Sequence, residues 1–379
     1  MYPRVRIDTP ITIQSRNLKA QGISLPGFPI PDVVGPFSTY ETRASVDQSL
    51  IDMTLIHANR AAKQNLEVTK SDYQDARDQV IRQVAGLYLN AESAAALAQA
   101  AKARVDTAQT LYQLALDQRN AGAATGIDVL RAQVQLQQER QSFVQAKNSA
   151  EETKLVLARN IGLQPGTPID LAEQLSAMNV ATPTPEGGLE TALNGRPDYQ
   201  ALQKQHEALK EQMRASKARF YPRLSASANY GGIGRTLSSI TGTGLAQLSL
   251  SFTVFDRDRQ GEQQEIAARM DRVERQATDL KLGIDQDIRQ ALLRLNSATE
   301  EVTVAAAGLD LAQKELDLAK VRFQNGVTNN VEVVNAQDSL ARAQQNQIVA
   351  LTRHADARIA LARATGNTES KYEQYLGSH

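Results

Sequence analysis

A long internal repeat constrains the fold of this chain more than any other feature of its sequence. Residues 108–162 align without a gap with residues 312–366, an offset of 204 positions, and this offset pairs Gly122 with Gly326. Two long copies are unlike a solenoid, which stacks many short units. The chain is therefore expected to consist of two similar halves.

Four segments alternate apolar and polar residues with the period of two that is typical of β-strands. The residues that share the mainly apolar face of each segment are Val5, Ile7, Thr9, Ile11 and Ile13; Tyr40, Thr42, Ala44 and Val46; Leu224, Ala226, Ala228 and Tyr230; and Ala246, Leu248, Leu250, Phe252 and Val254. Gly- and Pro-rich loops at about 22–36 and 231–244 join each pair of strands. Each segment approaches the roughly 9–11 residues that a tilted strand needs to cross a bilayer.

A soluble antiparallel sheet with one wet face would alternate in the same way. Four strands cannot close a barrel, and no other sheet in the sequence could bury them. Three copies of the chain would supply twelve strands, an even number that outer-membrane barrels use.

A long helical pattern without proline follows each pair of strands, at about 52–120 and 256–325. At ~1.5 Å per residue, each helix would be roughly 100 Å long. Apolar residues recur at steps of three and four, as in a coiled-coil seam, for example at Val273, Ile284 and Ile288. Each long helix is predicted to stop near a glycine and to be followed by a return helix of about 35 residues.

Composition excludes several classes of protein. The 42 basic residues balance the 42 acidic residues, which argues against a nucleic-acid partner. The absence of Cys excludes disulfides and thiolate metal sites, and the four His residues show no metal-ligand spacing. The sequence contains no run of about 18 apolar residues, so it predicts no transmembrane helix. We expect no catalytic site, cofactor or metal, and therefore no enzyme.

The start of the second half has a counterpart near the start of the chain. Tyr221-Pro222-Arg223 matches Tyr2-Pro3-Arg4. A helical segment from about 188 to 219 precedes Tyr221, but no such segment precedes Tyr2 in this sequence. We therefore expect a matching helix and a signal sequence upstream of Met1.

Several segments together resemble TolC-type outer-membrane efflux proteins. They are Gly35-Pro36-Phe37-Ser38-Thr39-Tyr40, Gln48-Ser49-Leu50-Ile51-Asp52, Arg196-Pro197-Asp198, Tyr221-Pro222, Phe252-Thr253-Val254-Phe255-Asp256, and the turns Gly122 to Asp128 and Gly326 to Glu332. The resemblance implies an α+β membrane protein whose long helical hairpins form a periplasmic tunnel. It also implies four transmembrane β-strands per protomer, which close a 12-stranded barrel in a homotrimer.

This resemblance divides the chain into seven parts. They are a first β-hairpin at 1–52, a first helical hairpin at 53–162, an equatorial connector at 163–195, a helix at 196–219, a second β-hairpin at 220–256, a second helical hairpin at 257–366 and a tail at 367–379. The connector is expected to be non-helical because Pro165, Pro168, Pro183 and Pro185 lie in it or at its edge.

The resemblance also implies where function resides. Asp128, Glu332 and Asn335 correspond to the pore gate, and the turns at Gly122, Gly126, Gly326 and Asn330 correspond to the tips that dock a periplasmic adaptor (a membrane fusion protein). An inner-membrane transporter and outer-membrane lipid are the other implied partners.

Two features of the gate leave alternatives open. The family's second acidic gate position is Asn335 here, and its Tyr and Arg lock positions are Phe323 and Thr328, which argues against that lock. Asp128 and Glu332 could also be solvated carboxylates that favour a helix N-terminus.

The expected function is an outer-membrane exit duct for small molecules or ions. A type I protein-secretion duct and a soluble structural coiled coil are the alternatives.

Overall fold

A computed structural model describes residues 3–20, 22, 31–164, 166–172, 176–177, 182–328 and 330–368. The chain forms two compact units: residues 1–66 with 204–274, and residues 67–203 with 275–379. The expectations for Met1, Tyr2, Pro165, His379 and most of the 367–379 tail lie outside the described residues.

The first unit contains one antiparallel sheet. Its strands are β1 (Arg4–Asp8), β2 (Ile11–Asn17), β3 (Val33–Ile51), β4 (Arg223–Gly234) and β5 (Thr241–Ser251). Both β1 and β2 pair with β3, β3 pairs with β4, and β4 pairs with β5. The predicted pairs of strands thus lie side by side in a single sheet.

The first predicted strand, from Val5 to Ile13, is interrupted at Pro10. Proline has no N–H to donate to a neighbouring strand. The register nevertheless continues from Asp8 opposite Arg43 to Ile11 opposite Tyr40, and the Glu41 N–H donates to the Pro10 carbonyl over 3.1 Å. The apolar residues on both sides of the interruption therefore share one face.

The predicted strand ends were partly wrong. β3 begins at Val33, inside the predicted loop 22–36, because Val33 and its neighbour pair with the end of β2. Residues on both sides of the 235–240 turn also belong to strands. β5 ends at Ser251 and not at Val254, because Ser251 lies opposite Arg223, and the preceding Pro222 has no N–H with which to extend the ladder.

The long helices are confirmed. They are α1 (Met53–Asn120) and α5 (Asp258–Gln324), and each is followed by a return helix, α2 (Gly126–Asn160) and α6 (Asn330–Ala364). The offset of 204 carries α2 onto α6 at both ends. Ile284 and Ile288, two of the predicted seam positions, are fully buried.

Two further helices lie between the halves: α3 (Pro185–Gly195) and α4 (Pro197–Lys217). The expectation that Pro185 marks non-helical chain was wrong. Pro185 is the first residue of α3, where its missing N–H costs nothing, and the Thr184 hydroxyl accepts a hydrogen bond from the Gly187 N–H at 3.2 Å.

Alanines share the core between the helices of the second unit with larger aliphatic residues. One cluster joins α3, α5 and α6 around Ala192, Ile284 and Leu361. A second joins α1, α5 and α6 near their turns, around Leu111, Leu316 and Val333. Alanine lets helix backbones approach closely, which agrees with the Ala-rich composition of the long segments.

Candidate functional site

The two turns that end the long helices have the same backbone geometry. Gly122 has φ +77° and Gly326 has φ +69°, a region that favours glycine. The Gly122 N–H donates to Arg119 and the Ala123 N–H to Gln118, which satisfies the last carbonyls of α1. The end of α5 repeats both bonds. A Cβ at either glycine would meet no atom within 4 Å, so the backbone conformation, and not a lack of space, favours glycine at these positions.

Asp128 is buried at the start of α2. Its Oδ2 accepts hydrogen bonds from the Thr125 N–H at 3.0 Å and the Thr125 hydroxyl at 2.6 Å. Its Oδ1 lies 3.8 Å from an Arg131 guanidinium nitrogen. The carboxylate therefore holds the first turn of the helix, where the helix dipole also favours its charge.

Glu332 occupies the equivalent position in α6, but its surroundings differ. Its side chain is 40% exposed, and the Arg322 Nε lies 3.2 Å from its Oε1. The Thr328 hydroxyl donates to the other carboxylate oxygen. Asn335, three residues further along α6, is exposed. Sequence reasoning missed Arg322, which faces Glu332 across the turn.

Polar contacts join the two turns. Asn330 is 1% exposed, and its Nδ2 donates to the Asp128 carbonyl at 3.1 Å. Gln118 Nε2 donates to the Phe323 carbonyl at 3.0 Å. Gly126, the equivalent of Asn330, is exposed. The two tip positions are thus equivalent in sequence but not in environment, because Asn330 lies between the halves.

A second polar cluster lies where α4 begins and α6 ends. Arg196 pairs with Asp198 at 2.7 Å and with Asp287 at 3.4 Å, and Arg363 contacts both Asp198 and Asp75. Burial alone would raise the pKa of the Asp198 carboxyl. The hydrogen bond and charge of Arg196, with the charge of Arg363, instead bring this pKa below its ordinary value. The cluster fixes the α4 start against the α6 end and remains charged at neutral pH.

The histidines lie apart from the turns. His57 Nδ1 lies 2.7 Å from Glu211 Oε2, and this hydrogen bond, more than any other contact, lowers the pKa of Glu211. His354 is buried in α6. Within the described ranges, no three His, Asp or Glu side chains come together to hold a metal ion. In the part of the chain that the structure describes, no helix combines the length and apolar content needed to cross a membrane.

A comparison with known protein families assigns this chain to one of them. The family model described as "Outer membrane efflux protein" matches residues 3–163 and 188–367, which together make up most of the chain. The chain belongs to this family. As an outer membrane efflux protein, it acts in efflux at the outer membrane.

Two relatives come from Pseudomonas putida. The chain is similar to the toluene efflux pump outer membrane protein TtgC and to the antibiotic efflux pump outer membrane protein ArpC. Each is 25% identical over 367 residues, covering 89% of this chain and 71% of the relative.

A solved structure shares the fold of this outer membrane efflux protein. The outer-membrane channel OprN superimposes with a TM-score of 0.76 at 20% identity, over 97% of this chain and 82% of that one. The family consists of outer-membrane channel proteins and not of enzymes.

Proposed function

We propose that this chain is the exit duct of a tripartite efflux system and conducts small molecules from an inner-membrane transporter and a periplasmic adaptor to the exterior. Family membership is the single observation that carries the proposal. The names of TtgC and ArpC, which refer to toluene and antibiotics, favour small molecules over secreted proteins as cargo.

The duct is a homotrimer in which three sheets close a 12-stranded barrel, each sheet counting as four strands because β1 and β2 continue one register along β3. Apolar side chains on one sheet face support this, because they are largely exposed in a single chain: Val5, Ile7, Ile11, Ile13, Leu248 and Leu250 are between 64% and 72% exposed. The opposite face is polar, with Arg43 bonded to Glu41, Asn229 and Thr243. Closure would satisfy the backbone groups at both sheet edges within lipid.

The helical tips dock the adaptor through Gly122, Gly126, Gly326 and Asn330. Gly126 offers a direct test, because a Cβ there would meet no atom within 4 Å and its φ is not positive. Gly126→Arg should reduce co-purification of the adaptor from membranes. Gly261→Arg is the matched control, since Gly261 also lies in a helix with open space around its Cα. Equal loss in both variants would count against tip docking.

Asp128, Glu332 and Asn335 form the gate in this proposal, with different tasks. Asp128 shapes the turn, whereas Glu332 and Asn335 present polar groups to the pore. Three copies of Glu332 would make an acidic ring that favours cations.

The conducting function is tested in planar lipid bilayers. Purified wild-type protein should form cation-preferring channels, and Glu332→Gln should weaken that preference. Asp128→Asn, which keeps an acceptor for Thr125, should change the preference less. Failure of the wild-type protein to conduct under any applied voltage would argue against a duct.

The cargo is tested in a bacterial host that lacks its own outer-membrane efflux channels but carries the cognate pump and adaptor. The wild-type chain should lower cellular accumulation of toluene or antibiotics. Export of a protein, without any effect on small molecules, would instead favour the secretion duct.

A further inference from the structure

An open groove in the second unit lies between α1 and α5, with α6 as its floor. Its volume is about 770 Å³, which is within the range of small-molecule pockets in proteins. Arg82 and Gly86 lie on the α1 wall, Arg294 lies on the α5 wall, and Asp356 and Ala360 lie on the floor. The groove is therefore large enough to hold a small organic molecule.

Ion pairs fix the register of both walls against the floor. The pairs are Arg363 with Asp78 of α1 at 3.5 Å, and Arg353 with Glu301 of α5 at 3.1 Å. Because α6 runs antiparallel to both helices, each step back along α6 is a step forward along α1 or α5. Ala360 is then level with Arg82, to within one residue, and with Arg294. Two guanidinium groups thus flank the groove at one level.

These two arginines lack the acidic partners that other arginines of the groove have. Arg196 and Arg363 also line it, but each pairs with aspartates. Arg82 and Arg294 are exposed, and within the described residues neither side chain makes an ion pair or a hydrogen bond. Asp356 lies about 6 Å further along α6 and is likewise exposed and unpaired in the described part of the chain. The groove thus offers two unpaired positive charges and one unpaired negative charge.

A glycine widens the groove near the level of Asp356. Gly86 lies inside α1, where glycine is less favourable than alanine. A Cβ there would meet no atom within 4 Å, so packing does not require glycine. At the offset of 204, its equivalent is Gln290 on the opposite wall, which also lines the groove. A side chain of that size on both walls would narrow the groove, and Gly86 keeps it open.

The groove continues along α6 past Asp356 as a less polar stretch of about 660 Å³. Leu89, Leu293 and Val349 contribute apolar side chains to this stretch, and Arg294 and Asp356 line both stretches. One ligand can therefore place its charged groups in the first stretch and an apolar body in the second.

We propose that this groove binds zwitterionic organic molecules, with the acidic group between Arg82 and Arg294, the amine at Asp356 and an apolar body along Leu89 and Leu293. Charge complementarity favours this class of ligand. Asp356 would repel a ligand with only an acidic group, and the two arginines would repel a ligand with only an amine. Binding does not depend on transport, but a role of the groove in selecting cargo rests on the proposed exit duct.

Three fluorescent probes that share the dansyl group test this charge requirement. Nε-dansyl-lysine carries a carboxylate and an amine, dansylcadaverine lacks the carboxylate, and dansyl-aminohexanoate lacks the amine. They are titrated onto the full chain in lipid nanodiscs, with empty nanodiscs as the blank. Nε-dansyl-lysine should bind about fivefold more tightly than either other probe. If it does not bind, or if either single-charge probe binds as tightly, the proposal is overturned.

Charge-removing variants assign the binding to the groove. Arg82→Gln and Arg294→Gln should each weaken binding of Nε-dansyl-lysine about fivefold without weakening that of dansylcadaverine. Asp356→Asn should weaken Nε-dansyl-lysine and strengthen dansyl-aminohexanoate. Arg119→Gln is the matched control, because Arg119 is exposed on α1 about 55 Å from Arg82. Equal effects of the groove variants and the control would show that the probe binds elsewhere.

Filling the groove gives a second measurement. Gly86→Leu should weaken Nε-dansyl-lysine several-fold, whereas Gly308→Leu should not, although Gly308 also lies inside a long helix with open space around it. Unchanged binding to Gly86→Leu overturns the site. A wild-type chain that conducts in planar bilayers but binds no probe loses only the groove. A chain that binds the probe but does not conduct retains the groove and loses the duct.

Discussion

At the scale of single residues, Asp128 and Glu332 occupy equivalent positions but meet different surroundings. The Asp128 carboxylate is buried and accepts two bonds from Thr125, whereas Glu332 is 40% exposed. Asp128→Ala should weaken the first turn of α2 by about 1 kcal/mol, which is typical of a lost helix cap. Backbone amides of that turn should then exchange hydrogen about fivefold faster, as measured by mass spectrometry.

The control for this prediction is Glu152→Ala, an exposed carboxylate on the same helix. Its effect on the first-turn amides should be negligible. Equal exchange in Asp128→Ala and the wild-type protein would show that the two Thr125 bonds do not hold the turn.

His354 should make stability depend on pH. Burial, reinforced by the charge of Arg358, lowers the pKa of its imidazole below the usual value of about 6.5. The unfolded chain therefore takes up a proton more readily than the folded chain. The stability that neutral His354 contributes is fully present above about pH 6.5 and is lost as the pH falls towards the lower pKa of the folded state.

His354→Phe should flatten the fall of the melting temperature between pH 7.5 and 5.5, because it removes this proton uptake. His206→Gln is the control, and it should keep the wild-type pH profile. An unchanged profile in His354→Phe would assign the acid sensitivity to other groups.

At the scale of elements, glycine acts differently at the end and in the middle of α5. Gly326 has φ +69°, so Gly326→Ala should destabilise the turn by about 1 kcal/mol or more. Gly308 lies inside the helix with no atom within 4 Å of a Cβ, so Gly308→Ala should stabilise the helix by about 0.5–1 kcal/mol. Urea unfolding in detergent should show that the two substitutions change the free energy of unfolding with opposite signs. Changes of the same sign would contradict the difference in backbone conformation.

The repeat made the helices predictable from sequence. Aligning the two copies of the pattern shows where the helices of each half end. Both turn glycines were identified because positive φ restricts the choice of residue. Strand ends were less predictable, because they depend on which residue lies opposite. Pro222, just before the neighbouring strand β4, decides where β5 stops, and alternation within β5 contains no trace of it.

The environment of the candidate gate was harder to predict for the same reason. Sequence identified Asp128 and Glu332 as equivalent acidic positions. It could not show that the first would be buried and would accept a bond from the Thr125 hydroxyl. Nor could it show that Arg322, ten positions earlier and across a turn, would face the second. Burial and pairing across a turn depend on packing between chain segments, which a repeat does not encode.

At the scale of the whole molecule, the sheet exposes apolar side chains that would be unfavourable in contact with water. One of its faces exposes isoleucine, leucine and valine on β1 and β2 at one edge of the sheet and leucine on β5 at the other. Soluble proteins seldom leave so much apolar surface exposed on one face. A barrel in lipid would cover this face and keep the Arg43 face in water.

Two adjacent positions on β5 separate these environments. Leu248 lies on the apolar face opposite Ala226, and Gln247 lies on the polar face opposite Ser227. Both are exposed in the single chain. Leu248→Lys should therefore cost about 2–4 kcal/mol if it lies near the middle of the bilayer, whereas Gln247→Lys should be nearly neutral. The folded fraction in lipid vesicles across a urea titration measures the difference. If both variants fold as well as the wild-type protein, the Leu248 face meets water and the sheet does not span a membrane.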